Sequence, residues 1–576
     1  MVKALLPVWD GVTGYLKRNK VKTVLVVLAM VLAYGFYVSS YTLNVDDVFT
    51  SFWNGGRLIA AGRFTGYLMQ LATGFMTYSP FFTMFLALCV FFFAGLVTAV
   101  VLNLYAGSRL SDNAVFVFWI MFVTYPLISE QMVYPIILLL ALGYLMTALS
   151  VWLVDRFFER KSVPSIVLAL VLMVLYIDFY EAFATVYLTL MMATVLIRFF
   201  YSADENDRKI VKIFFRMVKL TAALAIAVVL RFVIAKAVLF AYYGTTQAGY
   251  GGNSSIYWGE IGFFDCAIWL IRTVFLRYCW SAVDYLPIFV FVLCVIAGGV
   301  LALILTVKKR SAVPVLAFLF MLAGALSLNV LLGLATNYTM AQALAMFVAV
   351  VVTALYLAAE KKKAVRIILT VCIALLVLNQ AKSLNEWSVA NYERYEYEMS
   401  VVDDIGQELT EHYDVEHKPV VFIGADDAPR LPEALIEKHE SGQPAVKALQ
   451  KLWLRISDAV IPARYYKSIG DFYGKDIENA QGLFDYVKHV RNCTSICTSY
   501  LSWAGSGDGE SWFDAYEDCG IADQLYQLFD ERGYPLIRCT KDDYSAYRDR
   551  YQELPAYPKN GFITEYDDVI VVNFGK

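Results

Sequence analysis

An acidic pair, Asp46-Asp47, stands in the run Tyr41-Thr42-Leu43-Asn44-Val45-Asp46-Asp47-Val48-Phe49, directly after the first long apolar stretch of the chain. Carboxylates held this close to hydrocarbon are costly and tend to serve chemistry. One of them could take the proton of an acceptor hydroxyl while a sugar is displaced from its carrier, the base lying opposite the leaving group. The same residues also fit a helix N-cap, in which an Asp side chain accepts a backbone N–H. Residue pattern does not choose between these uses. A second acidic cluster, Asp178-Phe179-Tyr180-Glu181, falls at a short turn between two apolar stretches. It reads as lining of the same cavity or, more simply, as the solvated tip of a hairpin.

Six basic residues belong with these carboxylates: Arg57, Arg63, Arg231, Lys236, Arg272 and Arg277. They fall in two regions, the loop after the first apolar stretch and the surroundings of the long loop from Tyr242 to Asp284. Each region also contains a segment suited to lying on a membrane. In the first, Phe64, Leu68, Leu71 and Phe75 recur at helical spacing; in the second, Phe264 to Trp280 is strongly apolar but carries Asp265 and Arg272, seven residues apart and hence on one face. Guanidinium and ammonium groups at headgroup depth suit a lipid phosphate. Any one of them could instead snorkel to ordinary anionic lipid. Taken together, the two loops favour a phosphate site.

The elements that must hold these residues are transmembrane helices. The chain has 576 residues, of which 59% are hydrophobic and only 17% charged, where soluble chains average about 25% charged. Mean hydropathy is +0.56. This excludes an ordinary soluble enzyme and any disordered or fibrous class. Apolar stretches long enough to cross a bilayer lie near 22–41, 80–103, 113–129, 133–153, 164–178, 182–200, 217–241, 285–307, 312–334, 339–359 and 364–381. Eleven spans are therefore expected, and the chain reads as a polytopic α-helical membrane protein.

The net charge of −3 conceals two unlike parts: residues 1–381 carry 28 Lys+Arg against 16 Asp+Glu, and residues 382–576 carry 20 against 35. With the N-terminus cytoplasmic, 22 of the 28 basic residues fall in cytoplasmic segments, as the positive-inside rule requires. No small-x-small cleavage site follows the first apolar stretch, which is read as a retained signal anchor. An odd number of spans then places residues 382–576 outside the cell membrane. Two domains are expected: a membrane domain over 1–381 and an extracytoplasmic soluble α/β domain over 382–576. In the latter, Lys418 to Gly424, Pro535 to Arg538 and Val569 to Phe574 read as buried strands, with helical patterns near 430–440, 444–457 and 521–532.

All four His lie in the acidic part, so chemistry in the membrane domain must rest on carboxylates, Arg/Lys and hydroxyls. Asp426-Asp427 reads as a loop cap rather than a metal site, and His489-x3-Cys493-x3-Cys497 does not match a recognised zinc spacing. Cys493, Cys497, Cys519 and Cys539 could form two disulfides outside the cell. The acidic excess of this part argues against a nucleotide-binding face, and no nucleic-acid partner is expected.

The order Asn44-Val45-Asp46-Asp47, then Gly62-Arg63-Phe64-Thr65-Gly66-Tyr67-Leu68, then a span opening at Pro80-Phe81-Phe82, resembles the type-II Gtr membrane glucosyltransferases of bacteria. Tyr180-Glu181-Ala182-Phe183-Ala184 is similar to their Tyr-Gln-Ala element, with Glu181 replacing Gln. The resemblance covers about residues 20–200 in motif and the remainder only in layout. It implies a GT-C fold, a polyprenyl-phosphate sugar as donor, glucose as the hexose, Asp46 or Asp47 as the base, and Arg63 in the donor site. The acceptor would be a cell-surface glycan or a lipid-linked saccharide, glycosylated with inversion on the outer face. No soluble cofactor is needed, and the acidic pair is also compatible with a divalent metal. Two departures from the family pattern are a missing basic residue in the outer turn Ala335-Thr336-Asn337-Tyr338 and a longer C-terminal region. The competing readings are a transporter or flippase for lipid-linked saccharides, which would need charge deep within several spans, and a non-catalytic assembly protein of surface glycans.

Overall fold

The computed structural model describes residues 2–40, 42, 59, 62–73, 80–132, 137–201, 209–246, 258, 262–268, 270, 289–333, 340–424, parts of 451–467, 476–482 and 521–574. Their helices are α1 (Val2–Arg18), α2 (Lys20–Ser39), α3 (Phe64–Thr73), α4 (Pro80–Tyr105), α5 (Asp112–Val123), α6 (Ser129–Met132), α7 (Ile137–Arg160) and α8 (Val163–Phe179). There follow α9 (Phe183–Tyr201), α10 (Ile210–Tyr243), α11 (Phe289–Lys309), α12 (Val313–Ala325), α13 (Ser327–Leu332), α14 (Gln342–Ala359), α15 (Lys363–His412), α16 (Ile521–Glu531) and α17 (Lys541–Tyr547). Two short 3-10 turns, Pro126–Ile128 and Arg548–Gln552, and strands β1 (Val420–Ile423), β2 (Ile563–Glu565) and β3 (Ile570–Asn573) accompany them. The chain divides into two compact units, residues 1–39, 54–386 and 443–491 in the first and 40–53, 387–442 and 492–576 in the second.

Within the first unit α4 packs against α7, α7 against α8, α9 against α12, and α5 against α14. At its centre the Tyr144 ring meets Phe91, Phe122 and Phe183 at centroid distances of 5.6, 5.2 and 5.1 Å. The Tyr144 hydroxyl cannot be left unpaired in such surroundings. It donates to the Gln342 carbonyl at 3.2 Å and meets the Gln131 side chain at 3.3 Å. Thr124 similarly donates to Gln380 Oε1 at 3.0 Å. Backbone carbonyls take the Trp119 indole N–H (2.8 Å, Phe92) and the Tyr34 hydroxyl (2.7 Å, Val123).

Eight described helices are long and apolar enough to cross a membrane, and three shorter apolar ones, α5, α8 and α12, occupy the other expected spans. Their outer faces are apolar and bare: Val31 is 59% exposed, Val229 61%, Ile368 64% and Leu375 61%. Soluble proteins rarely expose so large a contiguous apolar surface; these faces meet lipid, and the protein is membrane-embedded. One element has no counterpart in the spans read from sequence. Helix α1 lies before the first of them, buries Val8, Val12 and Tyr15, and accepts the Trp152 indole N–H on the Ala4 carbonyl at 3.0 Å. Its basic residues Lys17 and Arg18 end a packed helix and are more than a topology signal.

The second unit holds a sheet of order β1-β3-β2, with β1 parallel and β2 antiparallel to β3. Strands β1 and β3 fall within the apolar runs at 418–424 and 569–574, and the third run contributes a single bridge, Val420 to Arg538. Strand β2, only three residues long, leaves too short a pattern to be read. Gly424 ends β1 with φ +66°, a conformation that glycine adopts freely. The sheet packs on Met399, Val402, Ile405 and Leu409 of α15 and on Leu525 and Phe529 of α16. Helix α15 has 50 residues, about 75 Å at 1.5 Å per residue, against a hydrocarbon core of about 30 Å. Its first half exposes apolar side chains and its second half is packed in the unit that carries the sheet. Cys539 is a free, buried thiol, and burial pushes its pKa upward. Cys493, Cys497, Cys519, the His489 motif and Asp426-Asp427 lie outside the described residues.

Close packing in the membrane unit has a direct test at Gly143. A Cβ there would stand 2.5 Å from the Phe183 ring, so Gly143→Ala must displace that ring or its helix. Overpacking of this kind costs about 1–3 kcal/mol, more than the ~1 kcal/mol of helix propensity gained. A lower melting temperature in detergent is expected, restored in part by adding Phe183→Leu; a raised melting temperature for Gly143→Ala would contradict the packing.

Candidate functional site

Helix α8 ends at Phe179, and only Tyr180, Glu181 and Ala182 separate it from α9. Tyr180 is extended, with φ −163° and ψ 121°, and its N–H still donates to the Tyr176 carbonyl. This break delivers the end of α8 to the start of α3. Asp178 accepts the Thr65 backbone N–H on Oδ2 at 2.6 Å. Thr65 lies in the first turn of α3, where backbone N–H groups have no partner within their own helix. A carboxylate from another helix therefore fills the place that a local N-cap would take, and the positive end of α3 favours its charge. Gly62, just before this turn, has φ +73°, so a side chain at that position would strain the entry to α3.

The other Asp178 oxygen faces a cation. Arg231, in the middle of α10, donates from Nε to Asp178 Oδ1 at 3.2 Å, and from Nη2 to Glu181 Oε1 at 2.6 Å and to the Gly62 carbonyl at 3.1 Å. The Asp178 side chain is completely buried and that of Arg231 6% exposed, whereas Glu181 is 46% exposed. Four parts of the chain thus meet here: the Gly62–Thr65 turn, the end of α8, the turn before α9, and α10. Two carboxylates face one guanidinium, and the exposed Glu181 carries the excess.

Arg63 is half-buried, with its guanidinium 5.1 Å from the centroid of the Tyr180 ring. A cation over a tyrosine face is held without being neutralised. Among the described residues Arg63 has no carboxylate partner. Helix α3 behind it buries Phe64 and exposes Leu68 and Leu71 at 53% and 54%. It also sets Tyr67 edge-on to Tyr242 at the end of α10, at 6.3 Å.

Several expectations change. Asp178 is not a solvated hairpin tip, because burial and two partners hold it inside the unit. Arg231 does not present an open guanidinium to a phosphate, since Asp178, Glu181 and the Gly62 carbonyl occupy it. Lys236 is exposed, and five residues along a helix set it about 140° round the axis from Arg231, so it does not join the cluster. Asp46, Asp47, Arg57, Arg272 and Arg277 lie outside the described residues. Among the described residues no group of three or more His, Cys, Asp or Glu is arranged to hold a metal.

Thr65 was not visible from sequence as a partner, because its contribution is a backbone N–H. A second buried pair was also missed. Arg216 binds both Asp155 oxygens from Nε at 3.1 Å and donates to Thr194 at 3.0 Å. As one of several cytoplasmic-side arginines it read as a topology charge; an Asp near the end of an apolar helix was the available signal.

These features define a class: a membrane-embedded helical protein with a buried carboxylate–guanidinium cluster that holds a short loop carrying an arginine with no carboxylate partner among the described residues. The chain belongs to the GtrII glucosyl transferase family, whose family model matches residues 35–358. Every residue of the cluster lies within that match, as do Asp46 and Asp47. No curated protein matches the chain.

Breaking the Asp178–Arg231 pair on one side should leave a buried charge alone, at a cost of about 3–5 kcal/mol. Arg231→Met is therefore expected to reduce the amount of folded protein in membranes sharply. The double variant Arg231→Met/Asp178→Asn, which removes both charges, should recover much of that loss, as read by the detergent-solubilised monodisperse fraction. Equal losses in the single and double variants would show that the pair is not coupled.

Proposed function

We propose that the protein is a GT-C-type glucosyltransferase working at the outer face of the cell membrane, with a polyprenyl-phosphate glucose as donor and a cell-surface glycan or lipid-linked saccharide as acceptor. Its topology would be multi-pass, with eleven spans, a cytoplasmic N-terminus and residues 382–576 outside. The positive-inside distribution of 22 of 28 basic residues in the membrane part supports this orientation.

The observation that carries the reading is Arg63: a guanidinium held over Tyr180, uncompensated among the described residues, on a turn braced from behind by Asp178 and Arg231. Such a group suits the phosphate of a lipid-linked sugar, which bears its charge at headgroup depth. The neutralised Arg231 is better described as support for that turn than as a ligand. In the proposed step Asp46 or Asp47 takes the proton of an acceptor hydroxyl. The hydroxyl oxygen attacks the anomeric carbon of glucose as the bond from that carbon to the phosphate oxygen breaks. Polyprenyl phosphate leaves with the electron pair, and attack from the opposite face inverts the anomeric centre. Charge developing on the departing phosphate would be met by Arg63. A divalent metal is not required by this scheme and remains compatible with the acidic pair.

The scarcity of charge at span centres speaks against a saccharide transporter: in the membrane unit the buried pair Asp155–Arg216 falls towards a helix end and the members of Asp178–Arg231 neutralise each other. Glycan mass spectrometry of a deletion strain complemented with variants tests the proposal. Asp46→Asn or Asp47→Asn, or both together, should remove one hexose from the surface glycan at normal protein level. Arg63→Ala should raise the KM for a polyprenyl-phosphate glucose by roughly tenfold, the loss of about 1.4 kcal/mol of binding. Unchanged glycan in the double Asp variant would overturn the reading.

A further inference from the structure

Helix α1 has three faces. Val8, Val12 and Tyr15 lie at i, i+4 and i+7, and all are buried. Trp9, one residue on from Val8, is turned about 100° away from that stripe. It and Leu6, three residues before it, stand 65% and 42% exposed. Asp10 and Lys17, seven residues apart and hence on one side, are exposed and charged. A packed face and a charged face are what any surface helix needs; an additional bare apolar face calls for a partner.

The contacts along α1 fix how it runs. Near its start the Ala4 carbonyl accepts the Trp152 indole N–H of α7 at 3.0 Å. At its middle Gly11 lies so close to α4 that a Cβ there would stand 2.6 Å from Val100 Cγ1. Near its end the Tyr15 hydroxyl donates to the Asp112 carbonyl of α5 at 3.0 Å, and the Tyr15 ring meets that of Trp119 edge-on at 6.1 Å. From Ala4 to Tyr15 is eleven residues, about 16 Å of helix, which matches two helix-to-helix spacings of about 8–10 Å. A helix that meets three others in turn over that distance crosses them. It crosses them at one end. Trp152 is eight residues from the last residue of α7, Val100 is five from the last of α4, and Asp112 opens α5. The Tyr105 hydroxyl of α4 donates to the Val151 carbonyl of α7 at 3.2 Å, so these two ends lie side by side.

The bare face of α1 therefore lies at the level where the membrane-crossing helices end. Helix α2 begins after a single residue, Asn19, and its opening turns expose Val21 and Val24, the start of a wall that meets lipid. Lys17 and Lys20 are exposed beside that junction, while Arg18 is shared with Asp112 at 3.5 Å. A tryptophan, with an apolar body and one N–H donor, suits the boundary between acyl chains and headgroups. An apolar face bordered by lysines is the pattern of a helix lying in the interface of an anionic leaflet.

We propose that α1 is an in-plane membrane anchor: Leu6 and Trp9 sit in the boundary of the leaflet at this end of the bundle, and Lys17 and Lys20 meet the phosphates of anionic phospholipid. Continuity with the lipid-facing wall of α2 and the bordering cations favour lipid over a second protein as the occupant. The inference goes beyond the glucosyltransferase reading and does not depend on it.

Fluorescence of the full-length protein in nanodiscs tests the anchor. The difference in emission between wild type and Trp9→Phe isolates Trp9. Lipid brominated near the headgroup end of its acyl chains, within about 5–10 Å of the surface, should quench that component more than lipid brominated near the chain terminus. Absence of quenching, or stronger quenching by the deep bromines, overturns the proposal. In mixed discs of phosphatidylglycerol and phosphatidylcholine at equal mole fraction, bromine on the anionic lipid should be the more effective. The expected local enrichment is up to about fivefold per lysine, and it should fall to parity in Lys17→Gln/Lys20→Gln; parity in the wild type overturns the proposal. A second readout avoids tryptophan. Leu6→Cys, Trp9→Cys, Asp10→Cys and Lys17→Cys are treated one by one with a membrane-impermeant maleimide, and labelling is read at each position by mass spectrometry. Positions 6 and 9 should label severalfold more slowly than positions 10 and 17. Equal rates at all four overturn the proposal. Protection at 6 and 9 without lipid quenching of Trp9 assigns the face to another protein surface, such as a second copy of the chain, and overturns it as well.

Discussion

Arg231 lies on a 34-residue helix whose neighbouring side chains, Leu230, Phe232 and Val233, are exposed and apolar. A guanidinium in such a setting is held only by partners that neutralise it and accept its hydrogen bonds. Asp178, Glu181 and the Gly62 carbonyl do so from three different parts of the chain. The geometry of the turn from Gly62 to Thr65 follows from that demand. With one Asp178 oxygen committed to Arg231, the other is available to cap α3 through Thr65, and the turn that presents Arg63 is thereby held. The arrangement gives a buried pair of modest net stability a use: it sets where a second arginine, Arg63, stands over the Tyr180 ring.

Division of labour between arginines runs through the whole membrane unit. Arg216 is consumed by Asp155 and Thr194, and Arg198 by Glu159. Arg198 and Arg216 also sit over the Tyr105 ring; Arg63 differs in having, among the described residues, an aromatic face and no carboxylate. Charge alone would have ranked these residues together; the partner decides whether a guanidinium braces helices or stays open to an anion. The same logic acts in the second unit, where Arg394 donates to Asn391 and Glu398.

Much of the fold was legible because a bilayer imposes long apolar runs. Eight of the expected spans fall on helices long and apolar enough to cross a membrane and three on shorter apolar helices, while the two longer strand runs at 418–424 and 569–574 fall on strands β1 and β3. Helix α1 escaped notice because its packed residues form one narrow stripe, Val8, Val12 and Tyr15, with no run long enough to suggest a span. For the site, Arg63, Tyr180, Asp178, Glu181 and Arg231 were all singled out by type and place. Their pairing was not, since Gly62 and Arg231 are 169 residues apart and Thr65 and Asp178 are 113 apart.

Local sequence determined the helical class, the membrane setting and the short motifs by which the family is recognised, because each depends on residue type within a few turns. Tertiary structure decided which charges remain free. Asp178 went from a solvated tip to a buried cap, Arg231 from a phosphate ligand to a brace, and Asn391 became a partner of Thr42. Whether a polar group is spent or available depends on the neighbour that desolvates and pairs with it, and that neighbour lies far along the chain.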